Sequence, residues 1–233
     1  KVPDSVRQIH GFNRAKITVT DFVFNDITAK GGLWYDTTPT TPDYNIRDLE
    51  VDCTGIGTYG YGFYNCTNLT NCTGTGTGTG VFSIGFGYCA NLTNCTGSGT
   101  GTGTGSAGYG FSDCTNLTNC TGSGTGAGAS GFGFGYCTNL TNCTGTGTGE
   151  NGYGFRNCTN LTNCTGTGTG EDDGYGFSAC TNLTNCTGTG TGEDDGYGFY
   201  SITTASNCKD GGSSTAMWDG TNKNIDLDTC RKT

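Results

Sequence analysis

The sequence has little of what most enzymes and membrane proteins are built from. Its 233 residues include one histidine, one methionine, three prolines and two tryptophans, and only 13% are charged. Leu, Ile, Val and Phe together number 35, and a share below roughly 20% is typical of disordered chains. No apolar run approaches the length of about 18 residues that a membrane-spanning helix requires. We therefore expect neither a large conventional core nor a membrane span.

Basic residues are also scarce. Lys and Arg together number 11, the net charge is −9, and Arg156 is the single base between Asp48 and Cys208. Nucleic-acid binding needs clustered Lys and Arg to replace the counterions of the phosphates. Nucleic acid is therefore not an expected partner.

Groups that could perform catalysis are missing from the repeated part of the chain. The one histidine, His10, lies near the N-terminus, and no Ser or Cys motif places a base beside a nucleophile. The paired cysteines are separated by five residues, which is not the spacing of a zinc site. We expect no enzyme activity and no certain cofactor.

What the chain has in quantity is glycine, 45 residues, and cysteine, 15 residues, in periodic order. Aligning the Gly-Tyr-Gly-Phe element places seven phenylalanines in register at spacings of 21 to 25 residues: Phe63, Phe86, Phe111, Phe134, Phe155, Phe177 and Phe199. Each repeat can bury its few apolar groups against its neighbours. The sequence therefore predicts an all-β solenoid, a right-handed stack of about seven rungs closed by terminal caps.

Within each repeat the periodicity changes from three to two. Apolar residues recur at every third position in a predicted structural core, as in Phe63, Cys66, Leu69 and Cys72 and again in Phe155, Cys158, Leu161 and Cys164. After the second cysteine, Thr and Gly alternate, which is typical of a strand with one residue type on each face. With cysteine inside, glycine forms the inner wall and threonine faces outward. Glycine allows close backbone approach, so the solenoid should be thin.

Composition divides the chain into three parts. Residues 49–208 carry the repeats, whereas residues 1–48 have no cysteine and include a predicted strand from Lys16 to Phe24, so they are expected to cap the N-terminal end. Residues 209–233 carry a hairpin signal and are expected to cap the other end. A disulfide between Cys208 and Cys230 could join that cap to the last rung.

The cysteines allow two interpretations. So many in a short chain favour disulfides and an extracellular, cell-surface or virion-surface location. Alternatively, they form stacked files of reduced thiols, because free cysteine packs as a small apolar residue.

Acidic turns recur at the same place in neighbouring repeats. Like charges stacked on adjacent rungs repel unless a cation neutralises them, so a Ca²⁺ site of carboxylate and backbone oxygens is one hypothesis. A solvated acidic turn is the other. The residues concerned are Glu171, Asp172, Asp173, Glu193, Asp194 and Asp195.

The outward threonines are the predicted binding face. A flat array of hydroxyl and methyl groups resembles the threonine arrays of ice-binding solenoids, and it equally suits polysaccharide binding, O-glycosylation or lateral contact with another copy. Threonine is also simply a good exposed strand residue. The face comprises Thr73, Thr75, Thr77, Thr96, Thr121, Thr144, Thr146, Thr165, Thr167, Thr187 and Thr189.

The segment from Gly-Tyr-Gly-Phe through Cys-Thr-Asn-Leu-Thr-Asn-Cys resembles the BspA-like leucine-rich repeat family over residues 49–208. Gly62-Phe63 stands at the family's Ala-Phe position, and Cys66 and Leu69 stand at its Cys and Leu. Cys72-Thr73-Gly74 replaces the two isoleucines of the family's strand. The resemblance implies a leucine-rich-repeat-like fold and a role as a surface adhesin or recognition module.

We therefore expect a non-enzymatic extracellular protein that acts by adhesion or recognition on a cell surface or in a viral or phage fibre. Its expected partner is a carbohydrate, a protein receptor or further copies of itself. A structural filament subunit is the alternative function, and an ice-binding protein is a lesser alternative.

Overall fold

The computed structural model describes residues 18–24, 31–34, 50–55, 59–211 and 231–232. These residues contain strands and turns but no helix, and hence no helix that could cross a membrane. The strands, in chain order, are β1 (Thr18–Phe24), β2 (Gly31–Trp34), β3 (Glu50–Gly55), β4 (Tyr59–Tyr64), β5 (Thr73–Gly78), β6 (Phe82–Gly87), β7 (Ala90–Thr93), β8 (Thr96–Gly101), β9 (Ala107–Ser112), β10 (Thr115–Thr118), β11 (Thr121–Gly126), β12 (Gly131–Gly135), β13 (Thr138–Thr141), β14 (Thr144–Arg156), β15 (Thr159–Thr162), β16 (Thr165–Ser178), β17 (Thr181–Thr184), β18 (Thr187–Thr191), β19 (Asp195–Tyr200), β20 (Ala205–Ser206), β21 (Lys209–Asp210) and β22 (Arg231–Lys232).

Each repeat is one turn of a parallel β-solenoid. The first wall, here the threonine wall, contains β1, β3, β5, β8, β11, the first halves of β14 and β16, then β18, β21 and β22. The second, here the aromatic wall, contains β2, β4, β6, β9, β12, the second halves of β14 and β16, and β19. A short third sheet of β7, β10, β13, β15, β17 and β20 lies in the curved segment between them. The predicted all-β repeat solenoid of about seven turns is confirmed, but nothing in it is specific to leucine-rich repeats.

The two walls pack backbone against backbone. A Cβ atom built on Gly76 would lie 2.5 Å from both the amide nitrogen and the carbonyl oxygen of Ile84 in the opposite wall. The same is true further along, where a Cβ on Gly133 would lie 2.5 Å from the Thr146 nitrogen. No real Cβ approaches that closely, so the walls can meet at these positions only because one of the two facing residues is glycine.

The curved segment, here the asparagine bend, holds the side-chain core. It runs from each core phenylalanine to the second cysteine of the repeat. Phenylalanines of neighbouring rungs stack with ring centroids 4.7–5.2 Å apart. The predicted core residues Phe63, Cys66, Leu69, Cys72, Phe155, Cys158, Leu161 and Cys164 are all buried in this cluster.

The bend is built from three tight corners in each of the first six rungs and two in the last, at Ser201 and Asn207. Each corner is a residue with positive φ, as in Asn65, Asn68 and Asn71, at 54–59°. Asparagine tolerates this left-handed conformation better than other non-glycine residues. At the second and third corners the repeated asparagines also form ladders, in which each Nδ2 donates to the Oδ1 of the preceding rung; Asn139 donates to Asn116 at 2.9 Å and Asn142 to Asn119 at 3.1 Å.

The segments beyond the repeats extend the same walls. The predicted strand of Lys16–Phe24 is present as β1, which pairs in parallel with β3, and β2 pairs with β4. Residues 1–48, the expected cap, thus contribute one strand to each wall. Of the expected C-terminal cap, β21 and β22 pair with each other, whereas the predicted hairpin lies outside the described residues.

Candidate binding surface

The threonine wall presents a regular array on its outer face. The parallel pairing is in register, so that Thr121 lies beside Thr144 and Thr125 beside Thr148. Along each strand the glycines are buried and the hydroxyl residues between them are partly or fully exposed. We name this array the threonine grid; it comprises Thr73, Thr75 and Thr77; Thr96, Ser98 and Thr100; Thr121, Ser123 and Thr125; Thr144, Thr146 and Thr148; Thr165, Thr167 and Thr169; and Thr187, Thr189 and Thr191. Every threonine of the predicted binding face belongs to it.

The grid is periodic in two directions. Neighbouring rungs are roughly 4.8 Å apart, and alternate residues along a strand are about 6.7 Å apart. Some neighbouring hydroxyls bond across rungs: Thr125 and Thr148 are 3.0 Å apart, and Thr191 Oγ1 donates to Thr169 Oγ1 at 3.3 Å. The arrangement is therefore a flat lattice of hydroxyl and methyl groups with a fixed repeat.

The acidic residues lie at the edge where the threonine wall turns into the aromatic wall. Asp173 is the register partner of Asp195, and backbone bonds join Glu193 to Glu171 and Asp194 to Asp172. The carboxylates are thus stacked on adjacent rungs. No three His, Cys, Asp or Glu side chains within the described part of the chain are grouped as metal ligands. The Ca²⁺ site remains a prediction without support from the geometry.

The outer face of the aromatic wall carries a second feature, which the sequence did not predict. A Cβ on Gly124 would lie 2.5 Å from the backbone nitrogen of Phe132, so the Phe132 side chain must point away from the glycine interior. It belongs to a separate cluster with Tyr109, Tyr153, Tyr175 and other aromatic residues. The rings stack along the solenoid, with centroids 4.4 Å apart between Tyr109 and Phe132 and 5.1 Å between Phe132 and Tyr153.

Charged groups of the outer face contact this aromatic column. The Arg156 guanidinium lies 4.7 Å from the Tyr153 ring centroid and 5.5 Å from that of Phe132, a cation–π arrangement. Burial raises the pKa of the Tyr109 hydroxyl to about 12. Burial, and next a hydrogen bond to the Asp173 carboxylate, raise the pKa of Tyr175. These tyrosines therefore stay protonated and neutral at physiological pH.

The cysteines correct one of the sequence-based interpretations. Those at thirteen positions are buried thiols rather than disulfides: Cys66, Cys72, Cys89, Cys95, Cys114, Cys120, Cys137, Cys143, Cys158, Cys164, Cys180, Cys186 and Cys208. Each lies in one of two columns in the asparagine bend, where the thiol donates to a backbone carbonyl, as Cys89 does to Gly87 at 3.3 Å. The disulfide interpretation is wrong for these positions, because each thiol is buried and free and donates to a backbone carbonyl. Cys230, the predicted partner of Cys208, lies outside the described residues.

Burial raises the pKa of the Cys89, Cys137 and Cys180 thiols, and next a hydrogen bond to one neighbouring thiol raises it further, from Cys114 for Cys89 and Cys137 and from Cys158 for Cys180. The thiolate is the reactive form of cysteine. These three thiols are therefore structural, and a reactive nucleophile is not expected among them.

Sequence analysis missed the asparagine ladders and the outward aromatic column. The invariant spacing of Asn68 and Asn71 from Phe63 was a signal for the ladders, because three-residue steps ending in Asn indicate left-handed corners. The aromatic column had a weaker signal: Tyr and Phe two residues apart predict one common face, whereas the structure sends Tyr109 outward and Phe111 inward.

Comparison with known proteins identifies no family. No family model and no curated protein matches the chain. Among solved structures, a crystal structure of "a putative glycosyl hydrolase" from Parabacteroides merdae is 8% identical and covers 81% of this chain and 72% of its own, with a TM-score of 0.16. A similarity that weak supports no conclusion about fold or activity.

Proposed function

We propose that this chain is a non-enzymatic adhesion or recognition module, acting outside the cell or on a virion surface, and that the threonine grid is its contact surface. A hydroxyl-rich carbohydrate surface is the partner that this chemistry suits. The observation that carries the proposal is the in-register grid itself. The resemblance of the bend segment to BspA-like repeats points to the same class of function.

Rigidity makes the grid suitable for binding. Threonine has a restricted χ1 rotation, and the strands beneath it are held by glycine contacts such as that of Gly76 with Ile84. Little conformational entropy is therefore lost when the face meets a ligand, and such preorganisation raises affinity. Many weak hydroxyl contacts can then add up over a long surface.

The test compares two faces of the same two rungs. Thr146 and Thr167 are register partners in the grid, and Thr141 and Thr162 are register partners in the asparagine bend. All four are partly exposed. The double variant Thr146→Lys/Thr167→Lys should weaken binding to an array of polysaccharides and cell-surface glycans at least tenfold, whereas Thr141→Lys/Thr162→Lys should bind as the original chain does.

Equal binding by the two double variants would show that the grid is not the contact surface. Absence of binding to any glycan by the original chain, together with binding to a protein receptor, would replace the carbohydrate by that receptor. Failure to bind either class would contradict adhesion altogether.

Ice binding is a second candidate, and the two-dimensional register of the grid favours it. A single glycan chain needs binding groups that repeat in one direction, whereas a crystal surface presents groups that repeat in two directions. The grid supplies both, at spacings of roughly 4.8 Å between rungs and 6.7 Å along a strand. Thermal hysteresis of a cooled solution, lost in Thr146→Lys/Thr167→Lys, would support it; freezing like buffer would exclude it.

A further inference from the structure

The residue at the first corner of the asparagine bend varies from rung to rung, whereas the other left-handed corners are all asparagine. It lies two residues after each core phenylalanine, and its φ is 51–56° in every rung. Along the solenoid the residues there are Asn65, Tyr88, Asp113, Tyr136, Asn157, Ala179 and Ser201. Asparagine and aspartate suit this left-handed conformation, whereas a bulky aromatic residue in it is a genuine outlier. Tyr88 and Tyr136 therefore occupy corners for which the repeat elsewhere has a better residue.

These two tyrosines are also unusually accessible. Tyr88 is 51% exposed and Tyr136 is 52% exposed, and together with Val81 they are the large apolar side chains that the described residues leave exposed. Three rings of the aromatic column are far less exposed: Phe132 at 4%, Tyr153 at 9% and Tyr175 at 7%. Tyr88 packs edge-on against the ring of Tyr64, with centroids 5.5 Å apart, yet about half of each tyrosine side chain stays exposed. Backbone strain of this kind concentrates at functional sites.

Asp113 lies between the two tyrosines on the intermediate rung. The backbone nitrogen of Tyr88 donates to Ser112 at 2.9 Å, and that of Asp113 donates to Gly135 at 3.0 Å, so Tyr88, Asp113 and Tyr136 follow one another on consecutive rungs. With rungs roughly 4.8 Å apart, the tyrosine backbones are about 9.6 Å apart. Ser112 Oγ donates to Asp113 Oδ2 at 2.7 Å and so orients the carboxylate.

We propose that Tyr88, Asp113 and Tyr136 form a saccharide-binding site for an extended β-1,4-linked glycan that runs parallel to the solenoid axis. A sugar ring has an apolar C–H face that packs on an aromatic ring, and its hydroxyl edge donates to a carboxylate. The separation of the two tyrosines is close to the repeat of two sugar residues in such a chain. The oriented Asp113 carboxylate then accepts hydroxyl hydrogens from the sugar between the rings.

This site goes beyond the proposed function of the threonine grid. It lies on the corner next to the aromatic wall, whereas the grid lies on the threonine wall. A ligand at the site would stack on the two rings and bond to one carboxylate, whereas a ligand on the grid would contact a lattice of hydroxyl groups. The two sites can therefore be tested independently with different variants.

The experiment is titration calorimetry of the full chain with cellohexaose, an extended β-linked probe. Maltohexaose, which has the same sugars in a curved α-linked chain, is the matched ligand. Tyr88→Asn and Tyr136→Asn remove one ring each and restore the residue that suits the corner, and each should weaken cellohexaose binding at least tenfold. Asp113→Asn keeps the corner conformation and should weaken binding about fivefold, which is about 1 kcal/mol.

The control is Ala179→Asn, a change to the same residue at the same corner three rungs from Asp113. It should leave cellohexaose binding unchanged. Melting temperature provides a second measurement, since neither Tyr→Asn variant should melt below the original chain. A lower melting temperature with unchanged binding would mean that the rings are structural and would overturn the proposal.

Four further outcomes support or overturn the proposed site. Equal affinity for cellohexaose and maltohexaose, or wild-type affinity in Tyr88→Asn and Tyr136→Asn, would overturn the site. Loss of cellohexaose binding in Thr146→Lys/Thr167→Lys with full binding in the tyrosine variants would also overturn it while leaving the threonine grid as the contact surface. Loss in the tyrosine variants alone would support it whatever the grid binds.

Discussion

The two walls and the asparagine bend belong to the same solenoid but are packed in opposite ways. Between the walls glycine takes the place of a side-chain core: a Cβ on Gly76 would collide with the backbone of Ile84, and Ser83 is a small buried exception. In the bend, Phe134, Leu140 and the paired cysteines are buried side chains. The flat part therefore has little room for added atoms where glycine meets backbone, whereas the bend depends on the side chains that it buries. We therefore expect added side-chain atoms to destabilise the walls, and removal or ionisation of side chains to destabilise the bend.

Alkaline pH should act first on the bend and have the largest effect, because cysteine ionises in the unfolded chain at lower pH than the tyrosines of the aromatic wall. The folded pKa of Cys89, Cys137 and Cys180 is raised above the unfolded value, so their contribution to stability is complete below the unfolded pKa and is lost as pH rises above it. With an unfolded pKa of about 8.5, each of the three loses roughly 2 kcal/mol by pH 10. Thermal unfolding followed by circular dichroism from pH 7 to 10.5 should show a steep fall in melting temperature.

The matched control for the alkaline series is the triple variant Cys89→Ala/Cys137→Ala/Cys180→Ala. It should be less stable at pH 7 but should lose less of its stability between pH 8 and 10. An identical pH slope in the two proteins would contradict the assignment to these thiols. Fast reaction of native protein with a thiol reagent at pH 7 would do the same, because buried protonated thiols react slowly.

Removing a core ring should be the most damaging single substitution in the bend. Phe134 is stacked between Phe111 and Phe155 with centroids 4.7 and 4.8 Å away, so Phe134→Ala leaves a closed cavity and should cost about 4 kcal/mol. Phe132→Ala, two residues away on the outer face, opens toward solvent and should cost less. Urea denaturation measures both losses. A larger loss for Phe132→Ala would show that the outer aromatic cluster contributes more to the free energy of unfolding than the core of the bend does.

Adding one methyl group should break the flat wall. A Cβ on Gly147 would overlap backbone atoms of Gly131 and Tyr153, whereas a Cβ on Gly135 would meet only the Tyr109 ring, at 2.7 Å. A ring can shift and a strand backbone cannot, so Gly147→Ala should cost about 3 kcal/mol and Gly135→Ala under about 1 kcal/mol. Urea denaturation of the two variants measures the difference. Equal stability would show that the walls can move apart.

The flat wall was largely predictable from sequence, and the bend only in part. Thr-Gly alternation after Cys72 sets a strand with glycine inside, and the structure places Gly74 and Gly76 there. The identity of the opposing wall was not predictable, because contacts such as that of Gly76 with Ile84 depend on how the chain returns. The state of the cysteines was not predictable either, since the same spacing fits a disulfide or a thiol column.

The candidate surfaces divide in the same way. The threonine grid follows from strand alternation and equal rung length, both visible in the sequence. The corner of Tyr88 and Tyr136 could not be found without the backbone, because exposure and positive φ together single out these residues. Position in the repeat alone marks them only as departures from asparagine.

The smallest expected effect comes from exchanging residues at the first corner of the bend. Ala179 and Asn157 occupy the same first corner on successive rungs, at φ of 51° and 52°. The left-handed conformation costs an ordinary residue roughly 1–2 kcal/mol, which asparagine partly avoids by local hydrogen bonding. Ala179→Asn should therefore raise the free energy of unfolding by about 1 kcal/mol, and Asn157→Ala should lower it by a similar amount. Urea denaturation of both variants at pH 7 is the measurement, and a shift of both in the same direction would show that the conformation of this corner does not govern the choice of residue.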